Sequence, residues 1–144
     1  MARAPGPSLA YVIGRVDQGV RREMRRLLEP FGLSVPEYTA LSILAAIPGL
    51  SNAQLARRSL ITPPAMLEVL ASLERRGLVV RHADPQHGRI RRAELTAEGT
   101  RTLRAASREI DRLSDQLLDA IPDDERDAVR RGLVAVMDRL SAGL

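Results

Sequence analysis

The chain has 144 residues, 44% of them apolar, which favours one folded domain with a packed core and excludes a disordered chain. It has no cysteine, so disulfides, thiolate metal sites and cysteine redox switches are excluded, and no apolar run approaches the ~18 residues of a membrane span. All 22 basic residues are arginine, and residues 57–92 carry a net charge of +5 against −3 for residues 93–144, which favours a polyanionic partner over an ordinary solvated surface.

The first half of the chain reads as a series of short helices. Apolar residues from Leu9 to Leu28 recur at steps of three and four, which predicts an amphipathic helix that ends near Pro30. Two capping boxes follow, at residues 34–37 and 51–54, and each predicts a helix start. The first of these helices stops before Pro48-Gly49, and the second is short and reaches about residue 58.

A third start signal follows after a turn of about four residues. Thr62 is placed as an N-cap, and Pro63 stands at the first helical position, where proline is favoured. Gly77 fits the position just past the end of this helix. Two helices joined by so short a turn are typical of a helix-turn-helix.

The apolar period then changes to that of strands. Residues 78–81 read as a short strand, residues 84–88 as a turn and residues 89–95 as the returning strand. A hairpin directly after a helix-turn-helix is a wing. Strand alternation places Arg89 and Arg91 on one face and Arg92 on the other, where Arg92 would serve a phosphate or an acid such as Glu94.

The remainder is predicted to form two long helices, with Thr96 capping the first and Pro122 opening the second. Their apolar seams, and that of the first helix, are too long for one small winged domain to cover, which predicts dimerisation; packing within one chain is the alternative. The candidate dimer-interface residues are Leu9, Val12, Val16, Leu113, Leu117, Val129, Leu133, Val136 and Leu140.

This order of elements resembles the MarR family of bacterial transcriptional regulators, from about residue 9 to residue 140. The local sequences that carry the resemblance are Gly32-Leu33-Ser34 with Tyr38 and Leu41, Pro48-Gly49-Leu50-Ser51 with Leu55-Ala56, Leu73 to Val79, Asp84-Pro85 with Arg89, and Leu95 to Gly99. The resemblance implies a mainly α fold with a small β-hairpin, as one MarR-like domain over residues 1–144. Residues of about 34–95 would form the winged helix-turn-helix, and those of about 9–31 and 97–142 the dimerisation helices.

The family resemblance also implies a function. A symmetric dimer would bind a pseudo-palindromic operator, with recognition helices in successive major grooves and wings over the flanking minor grooves. Many members release DNA when a small, often aromatic or anionic, molecule binds. A pocket between the first, second and fifth helices would place Tyr11, Arg15 and Tyr38 as candidate ligand-binding residues; the alternative is that the two tyrosines simply pack.

The predicted recognition helix has a buried stripe of Met66, Leu70 and Leu73. The opposite face carries Pro64, Glu68, Ala71 and Arg75, flanked by Ala65 and Leu67. This face departs from the serine, threonine, asparagine or arginine that family members often place there. Apolar groups could contact thymine methyls, Glu68 could accept a hydrogen bond from a cytosine amino group, and wing arginines could read a narrow minor groove. The candidate DNA-binding residues are Ser51, Asn52, Gln54, Arg57, Thr62, Pro63, Pro64, Ala65, Leu67, Glu68, Arg75, His87, Arg89 and Arg91.

Other functions find less support in the sequence. It has no glycine-rich phosphate loop and no histidine near a plausible serine–acid pair, so we expect neither an enzyme nor a cofactor. His82 and His87 on one turn are too few ligands to predict a metal site. The start of the chain lacks the basic-then-apolar order of a secretory signal, so we expect a cytoplasmic protein. A repressor is the leading interpretation; a winged-helix protein-interaction module and an enzyme accessory domain are the alternatives.

Overall fold

The computed structural model describes residues 6–143, so the extreme N-terminus, where the secretory-signal prediction falls, lies partly outside it. The elements in chain order are α1 (Leu9–Leu28), a 3-10 turn (Glu29–Phe31), α2 (Val35–Ala46), β1 (Leu50–Ser51), α3 (Asn52–Ser59), α4 (Pro63–Arg75), β2 (Val79–Ala83), β3 (Arg91–Leu95), α5 (Ala97–Asp119), a second 3-10 turn (Asp123–Glu125) and α6 (Arg126–Ser141). The mainly α fold with a small β-hairpin is therefore confirmed. No helix among residues 6–143 is long and apolar enough to cross a membrane.

The predicted helix starts form through local side-chain capping. In α2 the Ser34 hydroxyl accepts a hydrogen bond from the backbone N–H of Glu37, and the Glu37 carboxylate accepts one from the Ser34 N–H. Ser51 and Gln54 repeat this reciprocal arrangement at α3. At α4 the Thr62 hydroxyl oxygen accepts from the Ala65 N–H. These bonds satisfy N–H groups that the first turn of a helix leaves without partners.

The sheet differs from the predicted hairpin. It has three strands in the order β1–β3–β2, and both pairings are antiparallel, with Leu50 opposite Ala93 and Val79 opposite Leu95. The returning strand begins at Arg91, two residues later than predicted, because the backbone of residues 84–90 forms a turn: the Asp84 N–H donates to the Ile90 carbonyl. Strand β1 was not predicted, because a strand of two residues is too short to show an alternation of apolar and polar side chains.

The chain divides into two compact units, the first ending at Glu109 and the second beginning at Ile110. The core of the first unit consists of apolar side chains from helices α1 to α5 and from all three strands, and it includes the predicted α4 stripe of Met66, Leu70 and Leu73. Gly99 allows α5 to start against the residue just before β2: a Cβ at this position would lie 2.0 Å from the Leu78 carbonyl oxygen. Any other residue would therefore displace the start of α5.

A polar cluster joins the end of α4 to the start of α2. The Ser72 hydroxyl donates to Oε1 of the buried Glu37 carboxylate at 2.6 Å. Arg76, just past α4, donates to the carbonyls of Gly32 at 2.7 Å and Phe31 at 2.9 Å. Hydrogen bonds to a charged group are each worth about 1.5–3 kcal/mol. The cluster thus sets where the C-terminal end of α4 lies relative to α2.

The second unit is formed by the end of α5 and by α6. Arg126 Nε donates to the carbonyls of Leu118 and Ile121, and its Nη2 lies 2.9 Å from Asp123 Oδ1. These contacts hold the turn that leads into α6. No residue of α6 is buried, although the helix carries an apolar stripe.

Candidate nucleic-acid interface

Helices α3 and α4 form the predicted helix-turn-helix. The turn between them passes through Leu60, whose φ of +57° is left-handed. Asn52 Nδ2 donates to the Pro63 carbonyl at 3.0 Å, which fixes the start of α4 against α3. The side chains of Ser51, Asn52 and Gln54, proposed from sequence as DNA contacts, thus all have positioning roles inside this motif.

The outward face of α4 is largely apolar. Thr62, Pro63, Pro64, Leu67, Glu68 and Arg75 are exposed, and Ala65 is half-buried. This matches the direction expected from the buried stripe. The only guanidinium on α4 is that of Arg75 in its last turn, so the leading turns present few hydrogen-bond donors.

The wing is braced at its base by an ion pair. Arg92 Nε donates to Asp84 Oδ2 at 2.5 Å, and Arg92 Nη1 donates to the Gly49 carbonyl at 3.0 Å. Arg92 thus pairs with an acid, as one of the two expectations had it, but that acid is Asp84 rather than Glu94, because the strand register places Arg92 beside Asp84 and β1. Asp84 Oδ1 also accepts from the backbone N–H groups of Gln86 and His87. The Arg92 hydrogen bond first, and then these two N–H groups, lower the pKa of Asp84 from 3.8 to about 2.

Cations surround this region, and several of them have no partner in the protomer. Among residues 6–143, Arg57, Arg58, Arg75 and Arg89 make no ion pair or side-chain hydrogen bond and are exposed. Arg91 is exposed and donates to the Arg81 carbonyl at 3.1 Å. The exposed His87 lies in the same turn as Arg89. The structure therefore places unpaired positive charge at the end of α3, at the end of α4 and on the wing.

Leu60 is a surface residue that sequence reasoning missed. It is 91% exposed and lies two residues before the N-cap of α4. A left-handed residue in this turn could have been expected, because a short turn between two helices commonly needs one. The chain offers no glycine there, so a residue with a side chain must adopt that conformation.

Two of the three candidate effector residues, Tyr11 and Arg15, contact each other, and the third, Tyr38, contacts α5. Arg15 donates to the Tyr11 hydroxyl at 3.0 Å and lies over the Tyr11 ring. The hydroxyl of Tyr38, on α2, lies 3.3 Å from that of Ser107 on α5. Two open clefts, of about 470 Å³ and about 260 Å³, are lined by other residues. No group of three or more potential metal-ligating side chains occurs within residues 6–143.

Comparison with known proteins decides the family. A profile of the MarR family matches residues 31–90, which run from the turn before α2 to the wing. The HTH-type transcriptional repressor Rv2887 of Mycobacterium tuberculosis is 43% identical over 99 residues, which cover 69% of this chain and 71% of that protein. The chain belongs to the MarR family.

Solved structures agree with the MarR assignment. The transcriptional repressor CouR, bound to a 23-mer DNA duplex, superimposes with a TM-score of 0.83 at 29% identity, covering 92% of this chain and 93% of that one. Rv2887 in complex with salicylic acid gives a TM-score of 0.75 at 34% identity, covering 93% and 99%. The winged helix-turn-helix of this MarR protein is thus shared with relatives that are transcriptional repressors.

Proposed function

We propose that this MarR-family protein is a transcriptional repressor that binds a pseudo-palindromic, double-stranded DNA operator as a homodimer. The observation that carries the proposal is the exposed face of α4, surrounded by arginines that have no partner within the described part of the chain, at Arg57, Arg75 and Arg89. The CouR structure, in which a similar chain is bound to a DNA duplex, supports the same assignment. Such a protein would act where the genome lies, in the bacterial cytoplasm.

Each part of the winged helix-turn-helix would contact a different part of the DNA. Helix α4 would enter the major groove with Thr62 and Pro63 leading. Arg57 would neutralise a phosphate, which positions the protein without reading sequence. Arg89 and Arg91 would approach the minor groove, where a narrow groove attracts arginine.

A homodimer is supported by apolar surface that each unit leaves uncovered. In the first unit, Leu9, Val12 and Val16 on α1 are exposed. In the second, Leu133 and Leu140 on α6 are exposed, and an amphipathic helix without a buried residue is only marginally stable in water. A second copy would bury these side chains and allow two recognition helices to face two half-sites. Leu113 is already buried in the protomer and so adds less to such an interface.

DNA binding is tested by its salt dependence. A pool of duplexes with 24 random base pairs should bind at low salt, and log affinity should fall with log salt at about −0.9 per neutralised phosphate. Arg89→Ala should flatten this slope on every duplex, whereas Glu68→Ala should leave the slope unchanged and alter which sequences are selected. Equal losses for both variants on all duplexes would contradict this division of roles.

A winged-helix protein-interaction module is the second candidate, and the apolar outer face of α4 favours it. The same titration separates the two candidates. No measurable binding of the pool at low salt would reject the repressor and leave the interaction module.

We further propose that a small aromatic carboxylate releases the DNA, because Rv2887 binds salicylic acid. Tyr11, Arg15 and Tyr38 are the candidate ligand residues, and the Arg15 guanidinium is suited to pair with a carboxylate. Saturating salicylate should weaken DNA binding by about 5- to 150-fold, the usual range of coupling between two sites. Arg15→Ala should abolish this response, whereas Arg22→Ala, an exposed arginine on the same helix, should retain it.

A further inference from the structure

The surface that would meet the bases has an apolar centre and a cationic rim. Leu60, in the turn before α4, is 91% exposed, and Leu67, in the second turn of α4, is 49% exposed. Pro63 and Pro64 lie between them in sequence and are also exposed. Arg57 and Arg58 end α3 beside this turn and have no partner among residues 6–143.

Two polar side chains near the start of α4, those of Thr62 and Asn52, are already engaged, and the exposed Glu68 in its second turn offers only acceptors when ionised. Thr62 Oγ1 accepts from the Ala65 N–H, and the Asn52 amide donates to the Pro63 carbonyl. The Arg75 guanidinium belongs to the last residue of α4, about 18 Å along the helix from Pro63 at 1.5 Å per residue. The bidentate amide or guanidinium contacts that usually identify adenine or guanine are therefore absent from the leading turns.

The conformation of Leu60 adds an independent observation. A left-handed backbone is unfavourable for a residue with a Cβ, by about 1–2 kcal/mol, and glycine is the usual residue there. The nearly full exposure of Leu60 means that packing within the protomer returns little of this free energy. A large apolar group is thus held outward at the edge of the base-reading surface.

We propose that Leu60 and Leu67 read the C5-methyl groups of thymine in the major groove, and that these contacts are the main direct base readout of this protein. The inference rests on the proposed function as a DNA-binding repressor. In the major groove only thymine, among the four unmodified bases, presents a methyl group. The charges fit this occupant, because the arginine rim complements the phosphates on either side of the groove.

Replacing thymine by deoxyuridine removes this methyl group and leaves the base-pairing edges intact. Two random duplex pools, one with thymine and one with deoxyuridine, are selected in parallel with the full chain. The thymine pool should yield a preferred sequence with thymines at fixed places. Burial of a methyl-sized group is worth about 0.8 kcal/mol, so loss of each contacted methyl should weaken binding about fourfold. If each of the two half-sites has one contacted methyl, the deoxyuridine duplex should bind about 16-fold more weakly. If the deoxyuridine form of the selected duplex binds as tightly, the methyl readout is wrong. If neither pool is enriched, the DNA-binding proposal itself fails.

Two variants assign the effect to the leucines. Leu67→Ala removes a half-exposed side chain, and Leu60→Gly removes a nearly fully exposed one. At the thymine that the replaced leucine contacts, each variant should bring the thymine-to-deoxyuridine affinity ratio towards one. Arg89→Ala should weaken binding to both duplexes and leave that ratio as in the unaltered protein. A ratio that both leucine variants leave unchanged would overturn the assignment, because the methyl effect would then come from the stiffness of the DNA.

Discussion

Leu60 has a left-handed backbone conformation that is unfavourable for a residue with a Cβ. Its φ of +57° ends α3 and turns the chain into α4, and the Leu60 N–H donates to the Arg57 carbonyl at 3.3 Å. Glycine would adopt this conformation without a steric penalty. The chain therefore retains a strained leucine at a position where its side chain is 91% exposed.

Leu60→Gly should leave the free energy of unfolding unchanged or raise it by up to about 1 kcal/mol, because relief of the left-handed strain exceeds the entropy that glycine adds to the unfolded chain. Leu67→Gly is the matched control: the same exchange inside an exposed helix face should cost about 1 kcal/mol. Urea denaturation measures both. Equal destabilisation by the two variants would show that Leu60 is not strained.

The charged carboxylate of Asp84 accepts the hydrogen bonds that brace the base of the wing. Its pKa is lowered from 3.8 to about 2, first by Arg92 and then by the N–H groups of Gln86 and His87. A carboxyl group whose pKa is lower in the folded state stabilises the fold above its unfolded pKa, and this contribution disappears as the pH falls through the folded value.

The stability difference between the unaltered protein and Asp84→Asn should therefore be constant above about pH 4 and shrink as the pH falls from 3.8 towards about 2. Glu94→Gln, which removes an exposed acid from β3, is the control. Denaturation at a series of pH values checks this. A difference that stays constant down to pH 2 would contradict the role of the charged carboxylate.

At the scale of elements, the placement of α4 depends on both of its ends. Its start is fixed by the Asn52 bond to the Pro63 carbonyl and its end by the Ser72 bond to Glu37. Between them the buried stripe of Met66, Leu70 and Leu73 packs into the core. The recognition surface is thus held by two polar anchors and one apolar face.

Ser72→Ala should lower the free energy of unfolding by about 2 kcal/mol, because it removes a donor from a buried carboxylate. Ser42→Ala is the matched control. The Ser42 hydroxyl bonds only to the Tyr38 carbonyl within α2, and its loss should change stability by less than about 0.5 kcal/mol. Similar effects of the two serine variants would mean that the Glu37 bond does not anchor α4.

At the scale of the whole molecule, exposed apolar side chains set the expected assembly. Val16 on α1 is 55% exposed in the first unit, and Leu133 on α6 is 51% exposed in the second. In a symmetric interface each substitution occurs twice, so a charge placed there meets its own copy or a buried apolar surface. The molecular mass of the protein in solution therefore shows whether a substitution at these residues disrupts the dimer.

Leu133→Arg should convert a dimer into monomers at micromolar concentration, because an unpaired guanidinium in an apolar interface is strongly unfavourable. Ala135→Arg introduces the same charge at an exposed position on the opposite side of α6 and should remain dimeric. Sedimentation equilibrium distinguishes the two masses. An unaltered protein that is already monomeric would contradict the dimer.

The sequence predicted those parts of the fold whose causes are local. Ser34 with Glu37, Ser51 with Gln54, and Thr62 with Pro63 each place a helix start, because a cap and its partner lie within one turn of chain. The apolar period likewise oriented α4 and so located the exposed recognition face. Arg89 was proposed as the wing arginine because it matches a family pattern; it lies in the turn before β3 rather than in the strand, and its contact with DNA stays a prediction.

The parts that were missed depend on residues far apart in the chain. Strand β1 exists because Leu50 and Ser51 pair with β3, more than forty residues later. That pairing brings the Gly49 carbonyl to Arg92, whose partner is Asp84 rather than Glu94.

By itself, then, the sequence determined most of the helix boundaries, the family and the exposed face of α4, because capping, periodicity and turn chemistry act over a few residues. The last helix is an exception, since α6 begins at Arg126, after a 3-10 turn, rather than at Pro122. Only the tertiary structure decided which polar groups are already engaged. Hydrogen bonding of Asn52, Ser72 and Arg92 within the protomer depends on how distant elements pack. It is this packing that leaves Arg57 and Arg89 without a partner among residues 6–143 and Leu60 exposed at the proposed interface.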